Sequence, residues 1–242
     1  MPVDSPPKTR LPLFCFPFGG AGASSYRSWS QELPSWIDVR PMQIPGRENR
    51  FREPSYTHIE PLVAEMVEKL APERPPYAFF GHSLGGLVAY ELTRELRRRG
   101  RPAPVLLIIS GYGAPHLPRD HRPPVSHLGP EAFWEAMKAD YDVTPEVMAE
   151  PMLRDLVYPI LRADLEVVET YPYKEEPPLS VPLLAMGGET DPEARPDEIA
   201  AWKEHSRLPV EVRIFPGGHF FLQGCRREVL ETIAAAARKV IE

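Results

Sequence analysis

The sequence predicts an α/β fold with a mostly parallel sheet, helices on both faces and a helical insertion. Short apolar runs alternate with segments whose apolar residues recur at helical spacing, and this alternation is typical of a parallel sheet covered by helices. The run Val105–Ile109 is apolar at every position, as expected of a strand buried on both faces. From Pro115 to Pro172 the sequence offers helical patterns alone, which indicates that an insertion interrupts one α/β core.

The individual elements follow from apolar runs and from apolar residues at helical spacing. The remaining predicted strands are Leu11–Phe16, Ile37–Ile44, Tyr77–Phe80, Val181–Met186 and Val210–Phe215. The predicted core helices are one that begins at the capping-box pattern Thr57–Glu60, then Leu87–Arg98, Asp197–His205 and Arg226–Ile241. The predicted insertion helices are Pro130–Tyr141, Pro145–Ala149 and Met152–Tyr171, the last with a kink at Pro159. We therefore divide the chain into core residues 1–117, insertion residues 118–171 and core residues 172–242.

Composition excludes several classes of function. The chain of 242 residues is 43% hydrophobic and has a net charge of −6, so it can bury a core but lacks the basic balance of a nucleic-acid-binding protein. No signal peptide and no apolar run of membrane-spanning length are visible, and we expect a cytoplasmic protein. Cys15 and Cys225 lie in apolar or helical contexts without a C-x-x-C pattern, so we expect no disulfide framework.

The sequence Gly81-His82-Ser83-Leu84-Gly85 joins a predicted strand to a predicted helix. A serine with glycine two residues before it and two residues after it, at such a junction, has the pattern of a nucleophile elbow. The sharp turn lifts the serine hydroxyl out of the sheet edge, and the N-terminus of the following helix favours developing negative charge. We predict that Ser83 is a catalytic nucleophile; the alternative is a structural glycine-rich turn.

A serine nucleophile needs a base that takes its proton and an acid that orients the base. Asp191 lies in the loop after the fifth predicted strand, and His219 lies in the loop after the sixth. The order serine, aspartate, histidine is the order expected after this elbow. We predict His219 as the base and Asp191 as the acid, with Glu189 as the rival acid. His82 lies inside the elbow, where we expect its side chain to point away from the serine hydroxyl.

An oxyanion hole requires two backbone N–H groups aimed at the oxygen of the tetrahedral intermediate. Leu84, the residue after the predicted nucleophile, is expected to supply one of them. The glycine-rich loop Pro17–Gly22 is expected to supply the other from Gly19, with Phe18 and Gly20 as alternatives. The loop lacks the G-K-[ST] sequence of a phosphate loop. Because the sequence also has no His/Cys cluster at ligand spacing, we expect no metal and no cofactor.

Six blocks of the sequence resemble the type II thioesterases, stand-alone α/β-hydrolases that serve polyketide synthases and nonribosomal peptide synthetases. The blocks are FCFPFGGAGASSYRSW, QIPGRENRFREP, FFGHSLGGLVAYEL, LRADLEVVETYPY, MGGETDPEARPDEIAAW and FPGGHFFL. The sequence is also similar to the medium-chain thioesterase of animal fatty acid synthesis. The resemblance implies the α/β-hydrolase fold, with Ser83 as nucleophile, Asp191 as acid and His219 as base. The first loop of the family usually reads P-Y/H-A-G-G-S/A, so the family's aromatic hydroxyl or imidazole is replaced here by Phe18.

The resemblance also implies the reaction. It points to a serine thioesterase whose substrate is an acyl group held as a thioester on the phosphopantetheine arm of an acyl or peptidyl carrier protein. Hydrolysis would clear stalled or mis-primed acyl units from the synthase. We expect a carrier protein as the partner, with no nucleic acid and no membrane, and we expect a stand-alone monomer.

The insertion is expected to form a lid over the acyl pocket, because α/β-hydrolases place lids at this position. Its aromatic and methionine residues either line that pocket or only hold the insertion together. They are Phe133, Trp134, Met137 and Met148.

A cluster of arginines also has two interpretations. Arg47, Arg50 and Arg52 either form a docking site for an acidic carrier protein or belong to a solvated loop. In the solvated loop they would form ion pairs with Glu48 and Glu53, and such exposed pairs contribute little to stability.

Two other functions remain as alternatives to the thioesterase. The chain could be a general carboxylesterase, lipase or acyltransferase of the same fold, and a preference for carrier-bound thioesters over oxygen esters would distinguish these. It could also be a non-catalytic binding module, although such proteins commonly lose a residue of the triad and all three positions are filled here.

Overall fold

The computed structural model describes residues 9–70, 74–119, 123–140 and 145–242. Its strands are β1 (Leu11–Phe16), β2 (Ile37–Pro41), β3 (Ala78–His82), β4 (Leu106–Ser110), β5 (Leu183–Gly188) and β6 (Val210–Phe215). Its helices are α1 (Trp29–Glu32), α2 (Ile59–Lys69), α3 (Leu84–Arg98), α4 (Pro130–Asp140), α5 (Pro145–Ala149), α6 (Pro151–Glu169), α7 (Pro196–Ala200), α8 (Phe221–Gly224) and α9 (Arg226–Ile241). Residues 1–8 lie outside the described residues, and so does Tyr141, the predicted end of the first insertion helix.

The six strands form one sheet in the order β2-β1-β3-β4-β5-β6. All five neighbouring pairs are parallel. Helices cover both faces of this sheet, because α2 and α3 pack on one face and α1 and α9 pack on the other. The predicted α/β fold with a parallel sheet is therefore confirmed.

The two faces of the sheet carry separate apolar clusters. Phe79 pairs in register with Leu107, and both side chains belong to the cluster formed with α2 and α3. The next pair, Phe80 and Ile108, belongs to the opposite cluster formed with α1 and α9. Successive side chains of a strand point to opposite faces, so both faces of β4 are buried, as its continuous apolar sequence predicts.

Two predicted boundaries are wrong for local reasons. β2 ends at Pro41 and not at Ile44. The N–H of the following Met42 still donates to the carbonyl oxygen of Cys15 at 2.8 Å. β1 ends one residue later, so the chain beyond Met42 has no strand to pair with. The predicted capping box at Thr57–Glu60 does not form. α2 begins at Ile59, and the side chain of its N-cap residue, His58, makes no capping hydrogen bond.

The junction between β3 and α3 is much tighter than the sequence predicts. β3 continues to His82, because Gly81 and His82 pair in register with the end of β4. α3 begins at Leu84, three residues before its predicted start. A Cβ added at Gly81 would lie 1.9 Å from the carbonyl oxygen of Gly85. Strand and helix thus touch through backbone, with one residue, Ser83, between them.

The insertion helices α4, α5 and α6 pack on one another through their own apolar cluster. Phe133 is fully buried in this cluster, and Trp134 and Met137 are nearly so. α6 continues through Pro159 and ends at Glu169, two residues before its predicted end. Val167 near the end of α6 packs into the core cluster on the α3 side, so this helix joins the insertion to the core.

Both cysteines are free thiols, as the lack of a C-x-x-C pattern predicts. Burial raises the pKa of the Cys15 thiol, which therefore stays protonated. Within the part of the chain that the structure describes, no helix combines the length and the apolar character needed to cross a bilayer.

We predict that Gly81→Ala destabilises the fold by about 3 kcal/mol, because the new methyl group meets backbone that cannot rotate away. Urea unfolding monitored by circular dichroism measures the change. The matched control is Gly224→Ala, where an added Cβ has no neighbour within 4 Å. Equal urea midpoints for Gly81→Ala and the control would show that the junction accommodates the added methyl group without a loss of stability.

Candidate active site

Ser83 occupies the single-residue turn between β3 and α3. Its φ angle is 52° and its ψ angle is −121°, a conformation that a serine adopts only where the surrounding structure imposes it. Its N–H donates to the carbonyl oxygen of Ser110 at 2.8 Å, which ties the turn to the end of β4. Ser83 therefore stands at the carboxyl edge of the sheet, directly before the N-terminus of α3.

α3 begins in close contact with the end of β1. A Cβ added at Gly85 would lie 2.1 Å from the carbonyl oxygen of Phe16 and 2.8 Å from that of Pro17, so glycine is required for this approach. The contact brings Leu84 beside the loop that follows β1. The N–H of Leu84 is the first of the helix and has no partner within it.

His219 and Asp191 come from the loops that follow the neighbouring strands β6 and β5. Nδ1 of His219 lies 2.8 Å from Oδ2 of Asp191, and both side chains are buried. The other carboxylate oxygen of Asp191 accepts the N–H of Glu193 at 2.7 Å. These contacts fix the imidazole through Nδ1. Its opposite side faces the pocket that Ser83 also lines.

The two candidate acids differ in their surroundings. Glu189 is exposed, whereas the carboxylate of Asp191 is hydrogen-bonded to the imidazole. A third carboxylate, which the sequence analysis did not single out, also lies near the ring. Oε2 of Glu193 is 3.6 Å from Nε2 of His219. The acid contact predicted for Asp191 is thus present, and Glu193 is an additional acidic neighbour on the pocket side.

His82 is buried beside His219 and points into the sheet edge. Its Nδ1 lies 3.0 Å from Oγ of Ser110, and its ring centroid is 4.9 Å from that of His219. Burial, and to a lesser extent the neighbouring His219, lower the pKa of His82 well below its usual value. The ring is therefore neutral at physiological pH and places no positive charge beside His219.

The loop Pro17–Gly22 passes over this site. The N–H of Gly20 donates to Oδ2 of Asp164 at 2.7 Å, so this alternative donor for an oxyanion already has a partner. Gly19 lies beside Ser83 in both of the pockets described next. The ring of Phe18 packs edge-on against His82 and Phe220.

Two pockets meet at Ser83. The first has a volume of about 190 Å³, and its walls are mostly apolar. Side chains from the insertion and from the loop after β6 form these walls: Met137, Val147, Val157, Leu161, Leu165 and Phe220. The second has a volume of about 130 Å³ and is more polar, with Arg119, Asp164, Glu169 and Glu193 in its walls. Ser83 thus lies where the apolar chamber meets a second, more polar chamber.

Sequence reasoning missed the ion pair that joins the insertion to the core. The guanidinium of Arg47 contacts both carboxylate oxygens of Asp164, at 2.5 and 2.7 Å. The two residues are 117 positions apart, so no local pattern could pair them. Arg47 is only 4% exposed and is therefore not part of a docking surface. Arg50 forms ion pairs with Glu53 and Glu65, which supports the alternative of a loop with internal pairs.

Comparison with known proteins shows similarity along nearly the whole chain. The family model described as thioesterase domain matches residues 11–237. The curated protein LgrE of Brevibacillus parabrevis, named linear gramicidin dehydrogenase, is 37% identical over 234 residues, which are 95% of this chain and 88% of LgrE.

Two solved structures are similar in both sequence and fold. RedJ, a thioesterase from the prodiginine biosynthetic pathway of Streptomyces coelicolor, is 36% identical with a TM-score of 0.87, and the match covers 98% of this chain and 96% of RedJ. BorB, a type II thioesterase from the borrelidin biosynthetic cluster, is 31% identical with a TM-score of 0.85, and the match covers 95% of this chain and 93% of BorB. The chain has the α/β-hydrolase fold and belongs to the thioesterase family, whose members hydrolyse thioester bonds.

Proposed function

We propose that the protein is an editing thioesterase that hydrolyses acyl groups from the phosphopantetheine arm of carrier proteins in polyketide or nonribosomal peptide biosynthesis. The observation that carries the proposal is the buried His219–Asp191 hydrogen bond of 2.8 Å beside a serine on a strained turn. The similarity to RedJ and BorB, which come from such biosynthetic pathways, supports the substrate class.

The proposed reaction begins with proton transfer from Ser83 to Nε2 of His219 as the serine oxygen attacks the thioester carbonyl. Asp191 accepts the Nδ1–H of the ring, which holds the tautomer with an unprotonated Nε2 and stabilises the imidazolium that forms. As the carbon–sulfur bond breaks, the imidazolium donates its proton to the departing thiolate, which leaves as the free thiol with the acyl group on Ser83. Water, deprotonated by His219, attacks this ester, and the imidazolium returns the proton to the Ser83 oxygen as the acid is released.

The oxygen of each tetrahedral intermediate needs hydrogen-bond donors that are already in place. We assign this role to the backbone N–H groups of Leu84 and Gly19. The helix N-terminus at Leu84 adds a favourable partial positive charge. Gly20 is the weaker candidate, because its N–H is held by Asp164.

The two pockets suggest where the two ends of the substrate lie. The apolar chamber, to which the insertion contributes Met137 and Leu161, suits an acyl chain. The polar chamber, with Arg119 in its wall, suits the amide-rich pantetheine arm. In this proposal the insertion, residues 118–171, is the lid over the site. The protein is a cytoplasmic monomer, and its partner is an acyl or peptidyl carrier protein.

The name of LgrE raises an oxidoreductase as a competing function. A dinucleotide site of the Rossmann type needs a third glycine and a helix N-terminus after the first strand. Here Gly20 and Gly22 are followed at the third position by Ser25. The segment Ala23–Tyr26 is a single 3₁₀ turn, so the loop offers no such helix. These features favour the thioesterase.

The proposed function is tested by hydrolysis of short acyl groups from a phosphopantetheinylated carrier protein. We expect faster cleavage of the thioester than of the matching oxygen ester. We also expect Ser83→Ala to lower the rate by about 10⁶-fold, because the nucleophile is lost and only the small contribution of substrate binding and the oxyanion donors remains.

The matched control is Ser30→Ala, which removes an exposed hydroxyl and is expected to keep wild-type activity. Equal or faster cleavage of the oxygen ester would indicate a general esterase. Equal rates for the wild type and Ser83→Ala would remove Ser83 from the chemistry and favour a binding module.

We predict that Asp191→Asn lowers kcat by about 10⁴-fold, because the amide favours the wrong imidazole tautomer. Steady-state kinetics on the acyl carrier protein measure the change, with Glu189→Gln as the control at the exposed rival position. A larger loss for Glu189→Gln than for Asp191→Asn would reverse the assignment of the acid.

A further inference from the structure

The loop that carries Gly19 is attached to a buried ion pair that the mechanism above does not use. Arg47 follows β2, and Asp164 lies on the insertion helix α6. Both side chains are almost inaccessible, at 4% and 3% of their surface. The guanidinium and the carboxylate meet through two hydrogen bonds of 2.5 and 2.7 Å. A pair with this planar two-point geometry has a defined orientation as well as a charge.

The same two side chains also hold the loop at both ends of the dipeptide Gly20–Ala21. Oδ2 of Asp164 accepts the N–H of Gly20 at 2.7 Å. One terminal nitrogen of Arg47 donates to the carbonyl oxygen of Ala21 at 3.1 Å, and Nε of Arg47 donates to the carbonyl oxygen of Pro45 at 3.3 Å. Two peptide groups of the loop, Gly19–Gly20 and Ala21–Gly22, are therefore tied to one pair of opposite charges.

The contact with Asp164 fixes the direction of the peptide group between Gly19 and Gly20. In a planar trans peptide the N–H and the C=O point in opposite directions. With the Gly20 N–H on Asp164, the Gly19 carbonyl oxygen must point away from the carboxylate. The reversed peptide would place that oxygen against a buried negative charge, which is unfavourable. The carboxylate thus selects one backbone conformation at the residue whose N–H faces Ser83 in the proposed mechanism.

We propose that Arg47 and Asp164 are positioning residues that set the oxyanion-binding conformation of the loop Phe18–Ala21. They act on the oxyanion-binding loop through its backbone, and Asp164 also lies in the wall of the polar chamber. Because Asp164 belongs to α6, the same contacts couple this part of the insertion to the oxyanion-binding loop. The proposal rests on the function proposed above and deepens it at the same site.

The test compares Arg47→Met/Asp164→Leu with the wild type. Removing both charges together avoids an unpaired buried charge, so we expect a folded protein with a melting temperature near that of the wild type. We expect kcat for acyl carrier protein hydrolysis to fall by about 100-fold, the effect of losing one oxyanion donor. We expect KM to change by less than about threefold, because the loss is specific to the transition state. Asp155→Asn, an exposed carboxylate on the same helix, is the matched control.

A second measurement separates positioning from a general structural role. A trifluoromethyl ketone analogue of the acyl thioester forms an oxyanion on Ser83, whereas the product acid does not. We expect the affinity for the ketone to fall by the same factor as kcat/KM, with the affinity for the product acid unchanged. A kcat within about threefold of the wild type would overturn the proposal, as would a fallen kcat with unchanged ketone affinity.

If the double variant does not fold, the single variant Arg47→Lys tests the proposal instead. Lysine keeps the positive charge but cannot span both carboxylate oxygens and the Ala21 carbonyl, so kcat and ketone affinity should fall together by about tenfold. Wild-type values for both would overturn the proposal. Ser83→Ala is measured in parallel. If the wild type hydrolyses the thioester and Ser83→Ala does not, a negative result for Arg47 and Asp164 leaves the proposed function intact.

Discussion

The organisation of the site depends on one backbone contact, the approach of α3 to the ends of β1 and β3. A side chain at Gly85 would overlap the carbonyl oxygen of Phe16, and a side chain at Gly81 would overlap the carbonyl oxygen of Gly85. The contact forces Ser83 into a left-handed conformation, which typically costs about 1–3 kcal/mol and is retained only where the surroundings hold it. It also brings the first N–H of α3 beside the loop after β1. One packing constraint therefore places both the proposed nucleophile and the proposed oxyanion donors.

Two buried polar pairs then fix the remaining parts of the site. Asp191 holds the imidazole of His219, and Asp164 with Arg47 holds the loop that contains Gly19. Removing one member of a buried ion pair typically costs about 3–5 kcal/mol, whereas exposed pairs such as Arg50–Glu53 contribute about 0–1 kcal/mol. Disrupting the Arg47–Asp164 pair is therefore expected to cost more stability than disrupting any one of the exposed pairs. The many arginine–glutamate pairs on the surface have little influence at the site.

The sequence could predict the features that are set by residues close together in the chain, and it missed those that depend on contacts between distant segments. β1, β6 and α9 have the predicted bounds because each is a continuous apolar run or an amphipathic pattern with clear ends. The elbow could be predicted because its glycines and its serine lie close together in the chain. The start of α3 was missed by three residues, since strand pairing extends β3 to His82 and removes the expected loop.

Contacts between distant segments could not be predicted in the same way. Arg47 looked like a surface charge in a basic loop, and its burial depends on Asp164, a residue of the insertion. Glu193 lies near His219 because Asp191 accepts its N–H and turns the loop toward the pocket. Both residues lie in blocks that resemble the family, but nothing in those blocks shows which distant side chain each residue meets. The similarity to known thioesterases fixes the family, and these side chains describe how this chain builds its own version of the site.

The central claim is that Ser83 becomes acylated during turnover. The most direct measurement is acid quenching of the enzyme within milliseconds of mixing with an acyl carrier protein, followed by intact mass and peptide mapping. We predict a mass increase equal to one acyl group on the peptide that contains Ser83, formed before the free acid and absent in Ser83→Ala. Release of the acid at the wild-type rate with no acylated peptide at any time would contradict a covalent mechanism at this serine.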